Sequence, residues 1–413
     1  MKVRYLGIAA GLAAAVLTAP QLWSQAAPAG PIFGGGRPAI PAPAAAAHPG
    51  GRGAPADAAA PSGDAIDRAV ERGIGFLMTQ QDPTTGAINN QGFGDKLAVT
   101  NSSLAIMAMA SVGHTPGEPT PQGHAMARAL TFVLREDHQF NPAPGTAQAL
   151  HGGHVIGYFG LDQSRMYGHG ITTLMLAEML GMGADEAQDR DIRDRLARAI
   201  DLIVRSQLMP KANPAFAGGW RYEPNSNDSD LSVTVWQVMA LRAAHNAGMT
   251  VPADTIQNAV KYIRGSYLSA RDKDGKPTDL RSGFGYQPGG SPTYSTAAEG
   301  LLAMQVCGEY TAPEVVGASN YLLNLKPGGR SGWFYYGTYY YAQGMYQRGG
   351  QYAEEAAAET AKMLLPRQDE RPGPSNGSWP AVGNEAAGGP VLTTSLALLS
   401  LSVKYHYLPI YQR

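Results

Sequence analysis

A chain of 413 residues with 44% apolar side chains can bury a core without covalent staples, and its single cysteine, Cys307, excludes an intrachain disulfide and any multi-thiolate metal site. Its 32 basic and 33 acidic side chains leave a formal net charge of −1, so there is no electrostatic case for nucleic acid as a partner. Charged residues make up only 16%, while 51 Gly and 30 Pro are present, a balance that suits buried helices joined by Gly-rich loops.

The N-terminus carries Lys2 and Arg4, an apolar run from Leu6 to about Val16, then Pro20 and the small-residue site Ser24-Gln25-Ala26. This is the order of a secretory signal peptide. Residues 1–26 are therefore expected to direct export to the periplasm or the extracellular space, with an uncleaved anchor as the alternative. The run is shorter than the roughly 20 residues a membrane span needs. No later stretch comes close, so no membrane span is expected in the mature chain. Residues 27–62 are mostly Ala, Pro and Gly, lack periodicity, and read as a flexible linker. Residues 63–413 form the folded domain.

From Asp64 onward one pattern recurs six times: an amphipathic helix, a Gly/aromatic loop, and a more apolar helix opened by a polar residue. The first helices are predicted near 64–80, 122–136, 190–207, 253–268, 312–325 and 350–366. The loops are Gly92-Phe93-Gly94, Gly157-Tyr158-Phe159-Gly160, Gly218-Gly219-Trp220-Arg221-Tyr222, Gly283-Phe284-Gly285-Tyr286, Gly332-Trp333-Phe334-Tyr335 and Gly377-Ser378-Trp379. The apolar helices are predicted to start near Thr100, Gly168, Leu231, Tyr294, Thr338 and Val391. In the 190–207 helix, Ile192, Leu196, Ala199, Ile200 and Ile203 share one face and charges fill the other, which marks a surface helix. Val233 to Leu241 is apolar nearly all round, which marks a buried one. Six such alternations predict an all-α fold, an (α/α)6 toroid with an inner barrel inside an outer ring; an open α-solenoid is the rival.

In a toroid the inner helices run parallel and their N-termini open on one face, with unpaired N–H groups and partial positive charge. The polar openers should meet there: Asn101, Tyr167, His169, Asp228, Asp230, Thr296, Tyr339, Tyr341 and Thr393. The expected occupant of that mouth is a small apolar or glycan ligand, with oxygen or negative charge at the rim. Tyr335 to Tyr341 would either pack between the rings or face the ligand.

These residues give a resemblance. Met166-Tyr167-Gly168-His169-Gly170-Ile171, the Gly218 to Tyr222 loop, Ser232 to Leu241, Thr338 to Gln343 and Thr393 to Leu401 resemble the prenyltransferase/squalene-cyclase repeat superfamily, and more closely its exported bacterial members. Asp228-Ser229-Asp230-Leu231-Ser232 is similar to the Asp-x-Asp-Asp-Thr motif of class II terpene cyclases. The resemblance implies Asp230 as general acid beside Asp228, although Leu231 stands where the third acid belongs. The same position before an apolar helix makes Asp230 a helix N-cap. His151, His154 and His169 could gather around a metal, but their spacing is no recognised zinc signature and no metal or cofactor is implied. Three functions follow: an exported binding or scaffold toroid, which is the preferred reading; an isoprenoid enzyme using Asp230; and a carbohydrate-active toroid.

Overall fold

The computed structural model describes residues 64–139, 157–325, 332–405 and 407–408. The expected signal segment 1–26, the linker 27–62 and the histidines His151 and His154 lie outside the described residues.

Twelve α-helices are present among the described residues, and β-structure is limited to isolated bridges. In chain order they are α1 (Ala65–Thr79), α2 (Ala98–Ala110), α3 (Pro121–Val133), α4 (Arg165–Met179), α5 (Glu186–Gln207), α6 (Leu231–Asn246), α7 (Ala253–Ser266), α8 (Tyr294–Val306), α9 (Pro313–Asn324), α10 (Phe334–Arg348), α11 (Gln351–Leu364) and α12 (Gly389–Leu401). The even-numbered helices pack side by side, and α12 returns to pack on α2, so the inner ring is closed and the solenoid is excluded. The odd-numbered helices lie outside them. The protein is an (α/α)6 toroid.

Composition explains the layering. On α6 every residue from Leu231 to Leu241 is buried, because the helix has the outer ring on one side and the barrel on the other. On α5 the buried stripe is Ile192, Leu196, Ala199, Ile200 and Ile203, while Asp194–Arg198 (2.7 Å) and Asp201–Arg205 (2.8 Å) pair on the solvent face.

A repeated clamp joins the outer helices. After α1, Gln81 Nε2 donates to the carbonyls of Gly86 (2.9 Å) and of Ala125 on α3 (2.8 Å). Gln139 does the same to Gly157 (3.4 Å) and Arg195 on α5 (2.7 Å). Gln207 reaches Gly218 and Thr255 on α7, both at 2.8 Å. Gln368 reaches Gly377 (2.9 Å) and Ala69 on α1 (2.8 Å), which closes the outer ring. Between α7 and α9 an ion pair, Arg271–Glu314 at 3.4 Å, takes this place. The four glycines have φ between 83° and 120°, which glycine alone adopts at no steric cost. In the first repeat the clamp glycine is Gly86, upstream of the Gly92-Phe93-Gly94 loop.

Candidate functional site

Each inner helix begins against the loop that leads into the next one. Leu97 N, ahead of α2, donates to Asp162 O (2.8 Å), and Met166 N at the start of α4 donates to Tyr222 O (2.9 Å). Leu231 N on α6 donates to Tyr286 O (2.9 Å), and Ser295 Oγ on α8 donates to Trp333 O (3.3 Å). Tyr336 N on α10 donates to Glu385 (2.7 Å), and Val391 N on α12 donates to Asn90 Oδ1 (2.9 Å). All six N-termini therefore share one end of the barrel, which is the expected mouth.

At α2, α6 and α10 the helix-end N–H groups at that mouth are taken by carboxyl groups of the chain itself. Asp162 caps α2 through Thr100 N (2.9 Å), Asp230 caps α6 through Val233 N (2.7 Å), and Glu385 receives Tyr335 N and Tyr336 N at the start of α10. Burial pushes Glu385 up to about 7, against the pull of those backbone donors. At these three of the six helix ends the chain's own carboxyl groups take the helix-end N–H groups, so the mouth gains acidic groups.

The mouth's densest polar cluster surrounds Asp230, which is fully buried. Its Oδ1 accepts from Val233 N and from Ser232 Oγ (3.0 Å); its Oδ2 accepts from Tyr286 OH (2.8 Å) and faces Arg221 Nε at 3.2 Å. Burial raises the Asp230 carboxyl, and these donors oppose that shift. Arg221 also faces Asp228 at 3.2 Å and lies over the rings of Tyr222 (4.5 Å) and Tyr286 (5.5 Å). Tyr222 OH and Tyr286 OH are 2.5 Å apart, and Tyr167 OH and Ser232 Oγ 2.6 Å apart. Tyr167, Tyr222, Tyr286, Arg221 and Asp228 keep partial exposure, so the cluster is reachable from solvent.

Below it the barrel is lined by rings. Trp236 of α6 stacks on Tyr339 of α10 (5.6 Å, 10°) and meets Tyr340 edge-on at 5.7 Å. Trp236 Nε1 donates to Tyr336 OH (3.2 Å), which donates to Ser232 O (3.2 Å). Because α8 lies between α6 and α10 in the ring, these contacts reach across the lumen. Glu299 of α8 is buried at the same level, with an Oε2 that has no hydrogen-bond partner. Trp333, half exposed, stands at the rim, 6.1 Å from Tyr336.

The other expected site residues divide between the mouth and the ring interface. Asn101 Nδ2 donates to Asn89 Oδ1 (2.7 Å), and Thr296 completes a capping box with Thr293; both are buried. His169 faces the outer ring. Its Nδ1 accepts from Phe159 N (3.4 Å), its Nε2 bonds Ala199 O on α5 (3.2 Å), and burial depresses it to about 4. Tyr341 packs beside Tyr294 (5.5 Å), away from the Trp236 stack, and Thr393 Oγ1 donates to Trp379 O at 2.6 Å. Helix α10 begins at Phe334, four residues before the expected start, so Tyr335 to Tyr341 lie on all its faces and only some reach the lumen. Cys307 caps the end of α8, buried, with its thiol pushed up to about 12.

Among the described residues, no group of three or more His, Cys, Asp or Glu side chains is placed to hold a metal, and no helix is long and apolar enough to cross a membrane. A separate cleft of about 720 Å³ opens between the ends of α5 and α7, lined by Lys211, Pro214, Asn258, Lys261, Tyr262 and Pro288. Lys211, lowered to about 8 by burial, donates there to Ser226 O (3.0 Å) and Asp228 O (3.2 Å).

Arg221, Tyr222 and Tyr286 appear in the sequence only as loop motifs, and Glu299 is absent from the expected site. One signal marks Glu299: it is the single ionisable acid in the otherwise uncharged run from Tyr294 to Val306. Arg221 has no such mark.

No protein-family model and no curated protein matches the chain. Solved structures do. The chain is similar to an inactive variant of the alpha-1,6-mannanase GH76A of Salegentibacter sp. HEL1_6 in complex with alpha-1,6-mannotriose, at 7% identity over 82% of this chain and 99% of that one, with a TM-score of 0.53. The type II terpene cyclase MstE from Scytonema, in its apo form, aligns at 12% identity over 83% and 99%, with a TM-score of 0.34. At such identities the likeness shows the fold alone: this chain is an all-helical α/α toroid.

Proposed function

We propose that this protein is a binding toroid that works outside the cytoplasm and holds an oxygen-rich, sugar-like ligand in the mouth of its inner barrel. The observation that carries this reading is the partly exposed group of Tyr167, Tyr222 and Tyr286 around the Arg221–Asp228–Asp230 ion pairs. Tyrosine faces suit the apolar face of a pyranose, and the carboxylates, guanidinium and phenols suit its hydroxyls. The similar mannanase carries a mannotriose on the same architecture. The signal-peptide pattern of residues 1–26 supports export, where glycans are at hand.

The isoprenoid reading has less support. Burial raises the Asp230 carboxyl, as a proton donor needs, but two hydroxyls, a backbone N–H and a guanidinium on its oxygens oppose that shift, and Leu231 stands where the third acid of the motif belongs.

Calorimetric titration of the full chain with manno-, gluco- and chito-oligosaccharides tests the proposal. At least one class is expected to bind, with affinity falling about tenfold or more in Tyr222→Ala, on the scale of one lost stacking contact. Circular dichroism should show the variant folded. Failure of all three classes to bind, or equal binding by folded Tyr222→Ala, would overturn it.

A further inference from the structure

One carboxyl group in the barrel has no counter-charge. Glu299 is 2% exposed, and its Oε2 accepts no hydrogen bond. Burying a lone carboxyl is costly, and protein interiors normally pair it. Here the nearest ionic influence is Asp230, of the same sign. The cation at the mouth, Arg221, is already engaged by Asp228 and Asp230 at 3.2 Å each. Around Glu299 are aromatic groups instead. Tyr167 of α4 and Tyr336 and Tyr340 of α10 lie within electrostatic reach of its carboxyl group, and Trp236 of α6 contacts both α10 rings, at 6.4 and 5.7 Å. An uncompensated acid among electron-rich ring faces is the complement of an organic cation.

We propose that the mouth accepts a ligand bearing an ammonium group, with Glu299 as its counter-ion and Trp236, Tyr336 and Tyr340 as the walls that surround the cation. For the sugar-like ligand proposed above, on whose reading this rests, the class is a sugar with a free amine rather than a neutral or acetylated one. The proton balance is defined. In the empty site burial, and then the charge of Asp230, raise Glu299 well above the usual carboxyl range and favour its protonated form. The groups facing it are Asp230, whose carboxyl is paired with Arg221 and its other donors, and Tyr167, Tyr336 and Tyr340, whose hydroxyls burial pushes well up. An incoming ammonium therefore displaces the Glu299 proton to solvent, and the net charge of the pocket is unchanged.

The test is calorimetry on the full chain near pH ~6, where a sugar amine is largely protonated, with three probes: a glucosamine tetrasaccharide, its fully N-acetylated counterpart, and tetramethylammonium chloride. The free-amine sugar should bind about tenfold tighter than the acetylated one, the scale of a desolvated cation–π and ion-pair contact. Repeating the titration in two buffers of different ionisation enthalpy should show about one proton released per ligand by the linkage above. Glu299→Gln should bring the two sugar affinities together and abolish the release. Equal binding of both sugars by the parent, or a preference that survives Glu299→Gln, overturns the cation site and leaves the sugar reading standing. Binding of tetramethylammonium with neither glucosamine sugar bound overturns the amino-sugar assignment and leaves the cation site standing. If none of the three probes binds, the cation site falls, and the manno- and gluco-oligosaccharide titrations decide the sugar reading.

Discussion

Asp230 caps α6 and anchors three other groups, which changes what a conservative replacement should do. As a cap alone, it would tolerate Asn at almost no cost. In the structure its Oδ2 also takes Tyr286 OH and faces Arg221, so an amide would lose the charge that holds both. Asp230→Asn is expected to cost about 1.5–3 kcal/mol, the range for a hydrogen bond to a charged group. Asp230→Ala should cost about 2–5 kcal/mol, because it removes the N-cap as well as the charged acceptor of Tyr286, while the partly exposed Arg221 keeps Asp228. Urea denaturation measures both. An Asn variant within a few tenths of a kcal/mol of the parent would mean that Arg221 and Tyr286 do not bear on the fold. The cap was readable from an Asp directly before an apolar helix. The anchors were not, because Tyr286 arrives from 56 positions away in another repeat. Two further caps were hidden for the same reason: Asp162 and Glu385 cap helices of neighbouring repeats, and no local pattern announces a cap that comes from another loop.

At the level of elements, the alternation of striped and wholly apolar helices was enough to place all six pairs, and most predicted starts fall within a turn of those observed. The exceptions, each four residues early, are α5, which starts at Glu186 rather than near 190, and α10. Its first turn, Phe334 to Gly337, looks like loop because aromatics and glycine have modest helix propensity, yet Glu385 from the following loop holds its N-terminus. The Gln–Gly clamp was hidden by variable spacing between its two members, five residues in one repeat and eighteen in another. Its glycines carry a prediction. A Cβ at Gly218 would come within 2.1 Å of Asn258 O on α7, with φ at 92°. Gly248 has a comparable φ of 81° but open space around it. Gly248→Ala should therefore lose only the left-handed penalty, about 1–2 kcal/mol, whereas Gly218→Ala should lose clearly more and lower the melting temperature further. Equal losses would show that the loop can move off α7 without consequence.

For the whole molecule, closure is what turns six similar helix pairs into a site. The contact of α12 with α2 and the Gln368 bonds to α1 bring six helix N-termini to one end, where residues from α4, α6, α8 and α10 meet although they are far apart in the chain. The sequence pattern pointed to that mouth and to Asp228, Asp230 and Tyr167 within it, but it could not sort inward from outward side chains. His169 and Tyr341 are turned toward the ring interface by a register that only packing decides. The central claim is that the mouth, and not the outer cleft beside Lys211 and Lys261, is where this toroid holds its ligand. A crystal structure of the full chain with the glucosamine tetrasaccharide tests that most directly. The account predicts sugar density against Tyr167, Tyr222 and Tyr286, with an amine directed at Glu299. Density confined to the cleft between α5 and α7, with the mouth left empty, would contradict it.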